Sequence, residues 1–465
     1  MTEERFSFTA GAKKTLMILG IVGIVLFVIG TVFNMSGGHG HDEGHGSEEA
    51  GLTVDESSSL LASADDQHEG SAHAEPQHND EHEDVEAAHG EHHETAHWLK
   101  RIYNSLWINN VYFTGLAIIG LFFVAVQYVA QAGWSVGFLR VGLAMGNWLP
   151  IAGILMFISF WLVRHDVFHW THASLYGEHG DEILKGKAAL WFWPMANGSA
   201  VPLFFILRMV IFFVLWYLMF TYIKREIFAE DINGGVDHWK KTRKYSVIFL
   251  VIFGFSSTVG AWDWVMSIDP HWFSTLFGWY VFASWWINGL AVITLITVVL
   301  KQHGYLKIIN SNHLHDIGKF IFGFSIFWTY IWFAQFLLQY YANMPEETIY
   351  WAQRLEVPNY SWILFMNLFL NFVLPFLLLM TRDAKRQMSL VKLVCPIVIV
   401  GHWFDFYLMI TPSTMKLEGA FGLTEIGMMM IFGVAFLFVT LTSLTKAPLF
   451  AKNHPMLDES LHHHI

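Results

Sequence analysis

Long apolar runs separated by short polar segments dominate the chain. Each of ten such runs is about 18 to 26 residues long, and a helix of that length crosses the hydrocarbon core of a bilayer. We predict these spans at residues 15–33, 107–132, 140–163, 200–222, 245–267, 276–300, 316–341, 359–381, 388–410 and 421–445. The pattern predicts an all-α polytopic membrane protein with ten transmembrane helices.

Composition and cysteine content narrow the class further. Of the 465 residues, 54% are hydrophobic and 14% are charged, whereas soluble domains carry roughly 25% charged residues. A soluble enzyme, a disulfide scaffold and a disordered chain are therefore excluded. The single cysteine, Cys395, cannot form an internal disulfide, ligate an iron–sulfur cluster or attach a haem through a CxxCH motif. Only His402 lies deep in a span, so we predict no haem and no metal on this chain.

The negative net charge of the protein comes from one loop. Residues 34–106 contain 17 acidic and two basic side chains, so the net charge of this segment is more negative than the whole-chain charge of -12. The part near 34–100 also contains 11 histidines and too few apolar residues to pack, so we predict a largely disordered extramembrane loop. Specific metal binding is the alternative for such a tract, although its spacing is irregular.

The distribution of Lys and Arg residues among the loops predicts the orientation of the chain in the membrane. With the N-terminus inside, the inner segments hold 16 Lys and Arg residues and the outer segments hold seven. The segment 224–244 contributes much of this excess. The positive-inside rule then predicts that both termini are cytoplasmic and that the acidic loop faces outward.

Ionisable residues inside the spans are the first candidates for chemistry, because each is costly in hydrocarbon. Five fall in the outer half of the membrane at overlapping depths, with His402 and Asp405 on one helix face. One interpretation is structural: an Arg208–Asp263 ion pair and a hydrogen-bonded His402–Asp405. The other is a proton or quinol site. The residues are Arg208, Asp263, His402, Asp405 and Glu425.

Polar residues elsewhere extend this cluster into a candidate proton path. Ser256, Ser257 and Thr258 lie one to two turns inward from Asp263 and could hold water. Hydroxyls in spans also commonly bond their own helix carbonyls. The inner mouth is predicted at His315, Asp316 and Lys319, for which solvation at the loop edge is the alternative.

The segment 164–172 closes the third span at the outer surface. A continuing helix would stack His165, His169 and His172 along one face. Histidine with Asp166 suits proton acceptance during quinol oxidation, so these four residues are our candidate quinone contacts. Interfacial capping and a metal site remain alternatives.

Several motifs resemble one family. The run 262–280 (WDWVMSIDPHWFSTLFGWY) resembles the polysulfide-reductase-like (NrfD-like) quinone-interacting membrane subunits, in the branch found in alternative complex III. The segments 315–320 (HDIGKF), 327–333 (FWTYIWF), 343–347 (NMPEE) and 401–405 (GHWFD) agree with it. The likeness covers about residues 100 to 455.

The early apolar helix, the His-rich acidic loop and the His-x-x-x-His-Trp segment resemble the second of the two membrane paralogues of that complex. The resemblance implies two four-helix bundles with one flanking helix at each end. The expected organisation is a cytoplasmic start and anchor helix, a periplasmic loop, two bundles, and a last helix with a cytoplasmic tail: 1–33, 34–100, 101–267, 268–410 and 411–465.

The family also implies a role. Alternative complex III oxidises menaquinol at the outer side of the bacterial inner membrane, and proton half-channels are proposed for both membrane paralogues. Menaquinone is therefore the one cofactor that remains a candidate on this chain. The expected partners are a paralogous quinone-binding membrane subunit, an iron–sulfur subunit, c-type cytochrome subunits and a terminal oxidase, with haem c and iron–sulfur clusters on those chains. An independent ion or solute transporter and a purely structural membrane anchor are the other hypotheses. Nucleic acid is not an expected partner.

Overall fold

A computed structural model describes residues 4–37 and 95–464. Within these residues the chain is helical and forms no β-strand, and ten helices are long and apolar enough to cross a membrane. This confirms the predicted fold class. The predicted disordered loop lies mostly outside the described residues. The helices are α1 Ala10–Gly37, α2 His97–Ala130, α3 Gly133–Val167, α4 Leu203–Asn233, α5 Asp237–Trp264, α6 Phe277–Gln302, α7 Ser311–Ala342, α8 Pro358–Leu378, α9 Met388–Met415 and α10 Leu423–Leu444.

The core lies between α2, α6 and α9, the three helices with the most buried apolar stretches. Polar side chains link these helices inside the core. Tyr112 of α2 donates to the Ile399 carbonyl of α9 at 2.7 Å, and Trp403 donates to Asn109 at 3.0 Å. Such interhelical bonds help to fix the register of packed spans.

The other helices surround this core. In the first half, α2 packs on α3 and α5, and α4 packs on the same two helices. In the second half, α6 packs on α7 and α9, and α8 packs on both of these. Helix α6 also contacts α2 and α5. The division into two separate four-helix bundles stays a prediction.

Glycines let α1 lie close against α10. A side-chain carbon built on Gly427 would lie 2.4 Å from the backbone nitrogen of Phe27, and one built on Gly23 would lie 2.9 Å from Cβ of Met430. Small residues at such contacts allow two backbones to approach each other in a membrane. Helix α1 otherwise exposes most of its surface, so this contact is its main attachment.

We expect Gly427→Leu to loosen α1 from α10 and to destabilise the chain by about 1–3 kcal/mol, as overpacking does elsewhere. The matched control is Gly254→Leu on α5, where a new side chain meets no atom within 4 Å. Thermal unfolding of both purified variants in detergent measures the difference. Equal unfolding temperatures would contradict the close-packing argument.

The two ends of the described chain meet at one face of the molecule. The Leu449 N–H donates to the Glu4 carbonyl at 2.9 Å, and Arg5 forms an isolated antiparallel bridge with Pro448. An even number of spans places both termini on the same side, in agreement with this pairing. That this side is the cytoplasm stays a prediction.

The basic segment 224–244 is more ordered than expected. We predicted a loop, but α4 continues to Asn233 and α5 begins at Asp237. Only three residues connect the two helices, and Gly234 and Gly235 have φ of 66° and 78°. Glycine adopts this left-handed region without steric cost. The cations therefore lie on two helix ends rather than on a flexible loop.

Candidate functional site

Arg208 of α4 and Asp263 of α5 form a two-pronged ion pair. Nε and Nη2 of Arg208 donate to the two carboxylate oxygens at 2.7 and 2.8 Å. Both side chains are largely buried, and the guanidinium also lies over the Phe204 ring. The structure thus contains the Arg208–Asp263 ion pair that the structural interpretation predicted. Its two parallel bonds hold the charges in a fixed geometry.

A cavity of about 340 Å³ opens beside this pair. Its lining is mainly apolar and aromatic, with Trp262 on α5 and with Trp272 and Phe273 on the loop after α5. Lys187 lies at its edge and donates to the Pro270 carbonyl at 2.6 Å; burial lowers the pKa of this lysine. The volume and the few polar groups are typical of a small-molecule site.

A second polar centre surrounds Asp405 of α9. The carboxylate is fully buried and accepts three hydrogen bonds from neutral groups. Trp328 of α7 donates at 2.9 Å, Asn367 of α8 donates at 3.0 Å, and Tyr280 of α6 is the third donor. Four helices therefore meet at one acid that has no Lys or Arg among its hydrogen-bond partners.

His402 lies one turn before Asp405 and completes this centre. Its Nδ1 is 2.9 Å from the Ser284 hydroxyl and 3.9 Å from the Asp405 carboxylate. Its Nε2 is buried and has no partner among the described residues, and the same holds for the side-chain nitrogen of Asn288. Buried polar atoms without protein partners are the places where internal water is expected.

The backbone of α8 is irregular at the same level. Residues Phe369–Val373 form a π-helical turn. Asn371, inside this turn, donates to the Asn367 side chain at 2.5 Å. Single π-helical turns inside α-helices occur frequently at functional sites. The turn brings a second amide to the Asp405 centre.

Glu425 does not belong to either group. Its carboxylate accepts from Nε and Nη2 of Arg101 at 3.0 and 2.7 Å and from the Gly422 N–H at 2.8 Å. Arg101 also donates to Asn34 of α1 at 2.8 Å. We call this set the α1–α2–α10 clamp.

Within the described residues, no hydrogen bond or ion pair joins the three parts of the predicted outer-half cluster. Arg208 pairs with Asp263, His402 lies beside Asp405, and Glu425 pairs with Arg101. Helix α9 also runs five residues beyond the predicted 410. Asp405 consequently lies about 15 Å from the end of its helix at 1.5 Å per residue, near the middle of a membrane.

The hydroxyl groups on the inner side of Asp263 mostly hydrogen-bond to carbonyl groups of their own helix. Ser256 donates to the Ile252 carbonyl at 2.7 Å and accepts from Trp216 at 2.8 Å. Thr258 donates to the Gly254 carbonyl at 3.0 Å. This is the commoner behaviour of such residues in spans, and Ser257 is buried beside them.

The predicted inner mouth contains a tight ion cluster. Asp316 lies 2.5 Å from Nζ of Lys319 and 2.6 Å from Nε2 of His463 near the C-terminus. His315 is 8% exposed, and its Nδ1 has no hydrogen-bond partner within the described residues. The tail thus covers this end of α7.

The histidine segment after α3 differs from the prediction. The helix ends at Val167 because Phe168 leaves helical geometry, and His169–Thr171 forms a short 3₁₀ turn. His172 turns back, so that its Nε2 lies 2.9 Å from the His165 carbonyl. Asp166 stays on the last turn of α3, and none of the four candidate residues lines the cavity.

The electrostatics of this surface favour the neutral form of His169. Burial and the neighbouring His172 lower the pKa of His169. Burial alone would raise the pKa of Asp181, but its hydrogen bond with His271 lowers it below the usual range. The described residues contain no cluster of His, Cys, Asp or Glu that could hold a metal ion.

Sequence reasoning missed a further buried group at the opposite end of the molecule. Glu230 is fully buried and accepts from Tyr128 at 3.2 Å, while Arg140 pairs with Asp231. Both acids lie beyond the predicted end of the fourth span, where we expected a solvated loop. The longer helix α4 carries them into the protein.

No protein-family model matches the chain, and no curated protein matches it.

Proposed function

We propose that this protein is an integral membrane subunit of a quinol-oxidising electron-transfer complex of the alternative complex III type. In this role it is a scaffold that also conducts protons. The observation that carries the proposal is the Asp405 centre, a fully buried acid near mid-membrane whose hydrogen-bond donors are all neutral. Such an acid in a span is a functional-site hypothesis by default.

The arrangement suits proton transfer better than static support. A structural carboxylate in hydrocarbon is normally paired with a cation, as Asp263 is with Arg208. Asp405 is instead held by Tyr280, Trp328 and Asn367 and lies within 3.9 Å of His402. A carboxyl and an imidazole at this distance can exchange a proton through one water or a small movement.

We place the quinone contact in the cavity beside Arg208 and Asp263, rather than on the histidine segment. The cavity is apolar enough for a quinone ring and offers the charged pair to its oxygens. When bound, a quinol would supply the electrons and protons for the complex. This chain's residues would orient the ring and exclude water. The electron carriers, haem c and iron–sulfur clusters, would be on the partner chains named above.

The bacterial inner membrane, with both termini in the cytoplasm, is the location that follows from this proposal. The charge asymmetry of the loops supports it. So does the meeting of the two ends of the chain at one face.

Purification from native membranes in mild detergent tests the proposal. We expect the tagged chain to elute with c-type haem absorbance and with menaquinol-dependent reductase activity. The control is the same chain purified after a harsh detergent wash, which should lose both signals. Elution alone or as a homo-oligomer, without haem proteins, would favour an independent transporter and contradict the proposal.

A further inference from the structure

A cleft lies between the ends of α3, α4 and α10, at the opposite face from the cavity. Its polar lining consists of Arg140 and Asn147 from α3, Lys224 from α4 and Ser443 from α10. The cleft is narrow, with space of about 10 Å³, close to that of a single water molecule. The cleft opens to the surface, where Lys446 is exposed.

The cations of this cleft have few partners. Arg140 is 4% exposed; it pairs with Asp231 through Nη2, while its Nε and Nη1 have no hydrogen-bond partner within the described residues. Lys224 donates to Asn147 at 2.6 Å, and Lys446 lies close enough for the two ammonium charges to repel each other. The ammonium groups of Lys224 and Lys446 therefore give the mouth of the cleft a positive charge, while the Arg140 guanidinium is paired with Asp231.

The depth of the cleft corresponds to a lipid headgroup. Asn147, Lys224 and Ser443 each lie about 20 residues from the opposite end of their helix, which is ~30 Å at 1.5 Å per residue. That distance equals the thickness of the hydrocarbon core. Three helices thus place polar side chains at the same boundary between acyl chains and water.

We propose that this cleft binds the phosphate group of an anionic phospholipid headgroup. The phosphate would accept hydrogen bonds from Lys224 and Lys446 at the rim. Arg140 lies deeper in the cleft, where it is paired with Asp231. Basic pockets between spans are known recognition sites for such headgroups, and the half-buried Lys224, held by Asn147, separates this site from diffuse surface attraction.

The test compares lipid binding to the full-length chain purified in detergent. Native mass spectrometry would count phosphatidylglycerol and phosphatidylcholine molecules retained from mixed micelles. We expect Lys224→Gln with Lys446→Gln to weaken phosphatidylglycerol binding about 20-fold, since each cation near an anionic headgroup contributes about fivefold. Lys224→Arg with Lys446→Arg should keep binding, which separates loss of charge from misfolding.

The matched control is Lys240→Gln with Lys241→Gln, which removes the same charge from exposed positions on α5 outside the cleft. It should change binding less than twofold. Equal loss in the control and the cleft variant would overturn the proposal, as would equal retention of the two lipids. Displacement of the bound lipid by excess inorganic phosphate would show a free-phosphate site and would also overturn it.

Discussion

Replacing Asp405 with asparagine is expected to lower proton movement coupled to quinol oxidation at least tenfold while the chain still assembles. Asparagine has the same size but cannot ionise. Its oxygen can still accept from Tyr280 and Asn367, whereas Trp328 loses its acceptor, which costs roughly 1–3 kcal/mol. The measurement is the reconstituted complex in liposomes, with a pH-sensitive dye inside and quinol oxidation followed outside.

Asp383→Asn is the control, because Asp383 is exposed in the segment that connects α8 and α9. His402→Leu and Asp263→Asn, made separately, show which group supports Asp405. Wild-type proton movement and quinol oxidation in an assembled Asp405→Asn complex would refute the role of this acid. If Asp263→Asn and His402→Leu also kept both values, all three residues would be structural.

Breaking the α1–α2–α10 clamp is expected to have the largest effect on stability. In Arg101→Leu, the Glu425 carboxylate stays buried without its cation, and removal of one partner from a buried pair costs about 3–5 kcal/mol. Asn34 also loses its contact with α2. Thermal unfolding in detergent and proteolysis of the N-terminal segment would both report the loss.

The double variant Arg101→Leu, Glu425→Leu separates the charge from the packing. Replacing a whole buried pair with apolar residues is often close to neutral, so we expect the double variant to recover most of the lost stability. A double variant as unstable as Arg101→Leu would show that the pair does not act as a charge clamp.

The positions of the spans could be predicted because the apolar pattern is long and repeated. The Arg208–Asp263 pair could also be anticipated, since opposite charges at similar depth on successive helices tend to meet. The ends of α4 and α5 could not. The charged residues after the predicted fourth span continue as helix. Glu230, near the end of α4, accepts a hydrogen bond from Tyr128 of α2, and the local sequence does not indicate this partner.

The hydrogen-bond partners of Asp405 could not be predicted from the sequence either. Tyr280, Trp328 and Asn367 precede it by 125, 77 and 38 residues. No periodicity links positions on three other helices, and aromatic residues in spans usually mean packing. No glycine or proline near Phe168 indicates that α3 ends there. The sequence pattern was therefore compatible with a helix that continues through the histidine segment.

The contact between α1 and α10 has a consequence for biogenesis. Asn34 and its partner Thr424 are 390 residues apart. At about 5–20 residues per second, the ribosome needs roughly 20–80 s to make that length of chain. Helix α1 therefore waits in the bilayer through the insertion of the eight helices α2 to α9 before its main partner is made. The contact that holds α1 forms only after all of these helices have been inserted.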